Sequence, residues 1–230
     1  MQALLDLDSQ LLLFLNYFHT DFWDNFMWII SSTTVWIPLY VMILYTIIKN
    51  QKYQSWISVI AIIILIVLCD RVSSGFLKPT IARFRPTHDP LLQDFVKIVN
   101  GYRGGTYGFV SSHAANTMGI AVFTSLVFRN KVFSAFIFIW ALIISYSRIY
   151  LGVHFPGDVL GGLLLGSIIA LIVYRIYITL TPRFIRLTFF NGKGLKRGVA
   201  EQFQCKDILQ IVFAGIISFA IILLSSKVLI

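Results

Sequence analysis

The sequence predicts an all-α integral-membrane bundle of about six transmembrane helices, preceded by an amphipathic helix lying in the membrane interface. Three observations carry this. Hydrophobic residues fill 57% of the 230 positions and charged residues only 13%, with a mean hydropathy of +0.80; a soluble domain of this length carries roughly twice that charged fraction. Apolar runs long enough to cross a bilayer recur along the chain. Basic residues gather in alternate loops, the bias expected of a multi-pass protein.

The elements follow in order. Over residues 3–18, Leu4, Leu7, Leu11, Leu15 and Phe18 fall at helical spacing, with Asp8 and Asn16 on other faces. That pattern predicts a helix lying in the interface, too polar to span. No basic leader precedes it, so insertion is expected to be driven by the spans themselves. Apolar runs at 27–48, 55–77, 112–128, 132–151, 157–178 and 208–229 are the expected spans. The chain divides accordingly into an interfacial helix and connector (1–26), a first span and loop (27–54), a core (55–178), a basic linker (179–207) and a last span (208–230). Thr181-Pro182, Asn191-Gly192 and Gly194 mark that linker.

Orientation comes from the loops. Those after the first, third and fifth spans hold eleven basic residues, Lys49 through Lys206, against only Glu201 and Asp207. The other side balances seven basic residues with eight acids. The basic side is therefore expected in the cytoplasm, and an even span count puts both termini outside. The same bias accounts for the net charge of +9 without nucleic acid, since no basic, aromatic-laced soluble domain exists to bind it. Cys69 and Cys205 offer neither a disulfide framework nor metal-ligand spacing.

Three polar clusters interrupt the acid-balanced side. They are Lys78-Pro79-Thr80-Ile81-Ala82-Arg83-Phe84-Arg85-Pro86, then Val110-Ser111-Ser112-His113, then Ser147-Arg148 with His154 and Asp158. Ionisable groups at membrane depth are costly and mark function. Lys78, Arg85 and Arg148 converge from different helix ends and suit an anion with several oxygens. Ser111 and Ser112 open a helix whose free backbone N–H groups favour the same ligand. Pro156 fits the first turn of the fifth span, placing His154 at its mouth and Asp158 four residues on. A carboxylate there fixes the tautomer of His154 and leaves its other nitrogen as a nucleophile. His113, from another helix, is placed to protonate a leaving oxygen. Together these groups suffice for phosphoryl transfer without a metal. His113, His154 and Asp158 could instead ligate zinc, but three nearby cations would repel a dication. His19 and His88 read as surface residues, and Asp70-Arg71 as a structural pair.

These clusters resemble the signature of the type 2 phosphatidic acid phosphatase (PAP2) superfamily, which includes the vanadium haloperoxidases: K-x6-R-P, then P-S-G-H, then S-R-x5-H-x3-D. Lys78 to Arg85-Pro86 matches the first in full, and Ser147-Arg148, His154 and Asp158 match the third in full. In the second, Ser111 and His113 match, while Val110 replaces the proline and Ser112 the glycine. The resemblance covers about residues 55–178. It implies His154 as nucleophile, Asp158 as its orienting partner and His113 as general acid. Lys78, Arg85, Ser111, Ser112 and Arg148 are the implied phosphate ligands, with no cofactor and no metal. It further implies a helical core with the site at the outer boundary of a bacterial inner membrane. The small size and the N-terminal interfacial helix look like bacterial members acting on undecaprenyl diphosphate, phosphatidylglycerophosphate or lipid A phosphates.

Substrate expectations rest on the loop 87–109. Its four glycines make it flexible enough to close on a pocket, and Lys97 and Arg103 add cations for a second phosphate. Undecaprenyl diphosphate or lipid A is thus favoured. Two other readings are weighed: a phosphotransferase using the same phosphohistidine, and a non-catalytic lipid carrier. The carrier has no need of an oriented histidine pair.

Overall fold

The computed structural model describes residues 2–188 and 203–228; the centre of the basic linker, 189–202, lies outside the described residues. Nine α-helices make up the described chain: α1 Gln2–Leu15, α2 Asp21–Ser31, α3 Ile37–Gln51, α4 Ser55–Asp70, α5 Lys78–Ile81, α6 Ser112–Phe128, α7 Lys131–Tyr150, α8 Pro156–Thr188 and α9 Cys205–Val228. There is no strand among the described residues, only one isolated bridge between Phe84 and Tyr107. The protein is an all-α membrane bundle.

Local sequence sets the helix ends. Thr20 caps α2 by accepting from the Trp23 N–H, and Asn130 caps α7 by accepting from the Phe133 N–H. Pro38 lies in the first turn of α3 and Pro156 opens α8, where a missing N–H costs nothing. The expected span 27–48 is instead broken. Helix α2 ends at Ser31, a 3₁₀ turn covers Thr33–Trp36, and α3 begins at Ile37. The polar run Ser31-Ser32-Thr33-Thr34 followed by Pro38 is what stops one helix and starts the next. The turn is held by Trp36, whose indole N–H donates to the Ile30 carbonyl at 2.9 Å and packs on Trp140 and Phe219.

Helix α6 is the centre of the bundle, buried along most of its length and packed chiefly on α8, α7 and α4. Around it, α3, α4, α7, α8 and α9 turn large apolar side chains outward, the arrangement that lipid demands. A count of six spans is not confirmed. Among the described residues, four segments are long and apolar enough to cross: Thr33–Ile81, Lys131–Tyr150, Pro156–Thr181 and Cys205–Lys227. The first of these contains both α3 and α4, and α6 has only 17 residues, short of the roughly 20 a straight span needs. The last turns of α8 extend to Thr188, into the segment expected as linker.

Lys49 meets Asp207 at 2.9 Å, and Arg129 donates to the Tyr174 hydroxyl at 3.2 Å. Asn50 and Gln204 pair at 3.0 Å. Loops after α3, α6 and α8 thus share one end of the bundle. The three polar clusters share the other.

Helix α1 departs from its expected role. Its leucines Leu4, Leu7 and Leu11 are exposed, as an interfacial helix requires, and Leu12 alone is fully buried. Asp8 and Asn16, however, face the protein. Asn16 donates to the carbonyls of Tyr150 and Lys97 at 2.7 and 3.1 Å and accepts from the Lys97 N–H at 2.8 Å.

Close contact between α6 and α8 rests on Gly166, where a Cβ would press into the Ala115 carbonyl oxygen. Small residues allow such backbone approach inside a membrane bundle. Gly166→Leu is therefore expected to destabilise by about 1–3 kcal/mol through overpacking, whereas Gly75→Ala, with nothing within 4 Å of the added methyl, leaves Tm unchanged or slightly raised. Thermal unfolding in detergent measures both; equal Tm values would show that the α6–α8 approach sets no limit.

Candidate active site

The site is assembled where α6 and α8 begin. Ser111 caps α6 by accepting from the Ala114 N–H at 3.5 Å, and its own N–H donates to the Asp158 carbonyl at 2.9 Å. Two helix N-termini are thereby joined. Asp158 is fully buried. Its Oδ2 accepts from the Phe155 N–H at 3.1 Å and lies 3.3 Å from Nδ1 of His154; its Oδ1 accepts from Arg83 at 3.1 Å. His154 sits in the turn between α7 and α8 with 1% of its surface exposed. Burial first, then the charges of Arg85, Arg148 and Lys78, push its pKa well below the ordinary imidazole value. It is held neutral.

Three cations surround this pair. Between α4 and α5 the chain runs through a π-helical segment, Arg71–Leu77, a form that recurs at functional sites. It brings Ser73, Ser74 and Lys78 against α6: Nζ of Lys78 donates to Oγ of Ser112 at 2.9 Å, and both serine hydroxyls reach the same oxygen. Ser112 is therefore a hub for Lys78 as well as a small residue in place of glycine. Arg85 is buried and donates through Nε to the Tyr107 carbonyl at 3.1 Å. Arg148 is buried with its guanidinium 5.8 Å from the Tyr102 ring centre. Nη1 of Arg85 and Nε of Arg148 have no hydrogen-bond partner among the described residues. Buried donors of this kind call for an acceptor.

His113, in the first turn of α6, borders two cavities. One, about 450 Å³, runs between α3, α4 and α6 from Asp70, Ser112 and Asn116 down to Ile43 and Ile120. The other, about 400 Å³, is lined by Trp28, Ser31, Ser32, Tyr102 and Arg148. All eight residues singled out in the sequence thus lie at one end of the bundle. Among the described residues, no three His, Cys, Asp or Glu side chains gather so as to hold a metal ion.

Several expectations change. Two of the four glycines of loop 87–109 serve close approach: a Cβ on Gly108 would lie 2.6 Å from Asp158 Oδ2, and Gly104 adopts a left-handed φ of +69° beside the Arg85 guanidinium, while Gly101 and Gly105 have nothing within 4 Å of an added Cβ. The loop is pinned at its base by Arg85 N–H to Thr106 O, Gly108 N–H to Arg83 O and the Thr87 hydroxyl to Arg103 O. Lys97 donates to the Tyr17 carbonyl at 2.8 Å and Arg103 to that of Thr87 at 3.5 Å; neither joins the cation cluster by a hydrogen bond or ion pair among the described residues. His19 is not a surface residue: its ring stacks on Tyr150 and its Nδ1 meets Asp24 at 2.7 Å. Asp70 and Arg71 form no ion pair among the described residues; Asp70 accepts from Ser74 and borders the larger cavity. Asp8 and Arg83 were missed. Arg83 lies inside the first cluster, and its proximity to Asp8 was not signalled by spacing.

The chain is similar to several known proteins. Residues 55–182 match the model of the PAP2 superfamily. The chain is 39% identical over 224 residues to a lipid A 4'-phosphatase of Bacteroides thetaiotaomicron, covering 96% of this chain and 99% of that one. It is 37% identical to a lipid A 4'-phosphatase of Porphyromonas gingivalis over 80% of this chain and 79% of the other. Among solved structures, Aquifex aeolicus LpxE superposes with a TM-score of 0.55 at 27% identity, covering 72% of this chain and 93% of that one. A PAP2-type phosphatidylglycerolphosphate phosphatase from Bacillus subtilis shares the fold, with a TM-score of 0.59 at 21% identity over 76% and 87% of the two chains. With its three clusters drawn together at one end of a helical membrane bundle, the chain belongs to the PAP2 superfamily.

Proposed function

We propose that this protein is a metal-independent lipid phosphatase that removes a phosphate from a lipid A-type glycolipid through a phosphohistidine on His154. The observation that carries the reading is the pairing of a buried His154 with Asp158 beside two guanidinium groups whose buried donors have no partner among the described residues. With its proton on Nδ1 toward Asp158, His154 presents the Nε2 lone pair to phosphorus. The N–P bond forms as the P–O bond to the lipid breaks. His113 supplies a proton to the departing oxygen, and Lys78, Arg85, Arg148 and the first-turn N–H groups of the helix that Ser111 caps and Ser112 opens hold the phosphoryl oxygens. Water, activated by the same His113, then cleaves N–P and releases phosphate.

The cavities on either side of His113 support a substrate with an apolar tail and a bulky polar headgroup. The helix-lined cavity suits an acyl chain, and Trp28 and Tyr102 offer faces on which a sugar ring packs. Two relatives at 39% and 37% identity carry the name lipid A 4'-phosphatase, and others, at lower coverage, undecaprenyl-diphosphatase. The basic loops at the opposite end support a bacterial inner-membrane placement with the site facing the periplasm or cell exterior.

Purified protein is expected to release inorganic phosphate from bisphosphorylated lipid A faster than from undecaprenyl diphosphate or phosphatidylglycerophosphate, and to do so in excess EDTA. His154→Ala should abolish turnover, a larger loss than the roughly 10²–10³-fold of a single clamp donor. Phosphate passed to an acceptor without release would make the protein a phosphotransferase, and near-normal activity of the alanine variant would sink the mechanism.

His154 also ties stability to pH. Its folded pKa is depressed, so below about pH 6.5 the unfolded chain takes up a proton that the folded chain refuses, and stability falls as pH drops. Between pH 7.5 and 5, wild type is expected to lose more Tm than His154→Gln; parallel losses would mean that His154 is not held neutral.

A further inference from the structure

The shared family core begins at residue 55, yet one group in contact with the site's charge network comes from α1. Asp8 Oδ2 accepts from Nη2 of Arg83 at 2.7 Å, while Nη1 of the same guanidinium donates to Oδ1 of Asp158 at 3.1 Å. The guanidinium plane lies 3.9 Å over the Phe155 ring. The other Asp8 oxygen accepts from the Gly157 N–H at 2.7 Å, a first-turn donor of α8 with no intrahelical partner. One carboxylate thus grips both the side chain and the backbone that flank Asp158.

The chemistry explains why both are needed. Asp158 spends Oδ2 on His154 and on the Phe155 N–H. Without Arg83 its Oδ1 would be a charged acceptor sealed from water, which is costly. Arg83 answers it but adds a fourth cation beside Lys78, Arg85 and Arg148. Asp8 neutralises that charge, so Arg83 orients Asp158 without competing for the phosphate. Arg83 occupies a position that the K-x6-R-P pattern leaves unspecified, and Asp8 lies outside the matched core altogether.

From this juxtaposition we infer that Asp8 and Arg83 are positioning residues: α1 is a brace that fixes the Asp158 carboxylate and, through it, the tautomer and aim of His154. The inference rests on the proposed role of His154, and its test has an arm that does not need turnover. Full-length Asp8→Asn, Arg83→Gln, the double variant and Asp8→Glu are compared with wild type in detergent. Turnover of bisphosphorylated lipid A is measured, and ¹⁵N-histidine spectra are recorded with the His154 signals assigned by difference from His154→Gln. Asp8→Asn and Arg83→Gln should each lower kcat roughly 10- to 100-fold, the scale on which outer partners of a functional histidine act, with KM within about twofold. The double variant should be no worse than Arg83→Gln, because the two act in series. Asp8→Glu should recover part of kcat. In the spectra, wild type should show one His154 tautomer with the proton on Nδ1, and Asp8→Asn a mixture. A lowered Tm with kcat and tautomer both unchanged would overturn the inference and leave Asp8 as an anchor for α1. Fully additive losses would overturn the serial arrangement. Should wild type turn over no lipid, the functional reading fails while the tautomer comparison still decides the brace.

Discussion

Burying a carboxylate in a membrane bundle costs several kcal/mol unless every lone pair is answered, and Asp158 is buried completely. Much of the site end follows from answering it. Its side chain takes donors from Phe155 and Arg83 and faces His154, and its carbonyl takes the Ser111 N–H. That last bond ties the start of α8 to the start of α6, so the histidine turn and the serine-capped helix are registered by one residue. Further along, Gly166 lets the same two helices approach to backbone contact. Site geometry and bundle packing are therefore two consequences of one helix pair.

The cations obey a different rule. Lys78 is supported by serine hydroxyls, Arg85 by a carbonyl and Arg148 by an aromatic face. None of these contacts is an ion pair. Of the four cations at this end, Arg83 alone is matched by carboxylates among the described residues, on both sides. The fold thus separates one cation matched by carboxylates from three that are not. That division, more than the presence of basic residues as such, is what the proposed phosphate site requires and a snorkelling rim does not.

Much of this was legible in the sequence, for physical reasons. Charged residues are so scarce in an apolar chain that three clusters of them stand out, and the helix periods around them say which ends they occupy. The relation of His154 to Asp158 is local, four positions on one helix start, so spacing sufficed. The role of α1 was hidden because its partners are remote: Asp8 meets groups 75 and 149 residues away. An amphipathic pattern states only that a polar face exists, not whether water or protein satisfies it. The break after Ser31 was obscured because its four small polar residues are short against their long apolar flanks. Composition does not show that two of the loop glycines, Gly104 and Gly108, also serve to pass close to a neighbouring side chain.

The remoteness of those partners has a consequence for how the molecule is made. When α1 leaves the ribosome, the residues that will satisfy Asp8 and Asn16 have not been synthesised; Arg83, Lys97, Tyr150 and Gly157 all follow much later in the chain. Until α8 is inserted, α1 can rest only at the bilayer surface, leucines toward lipid and Asp8 toward water. Docking it requires no reversal of that posture, merely the exchange of water for a guanidinium and a backbone amide. Completion of the catalytic end is thus a late event in biogenesis, and an early-inserted helix waits at the membrane surface for the chain that will claim it.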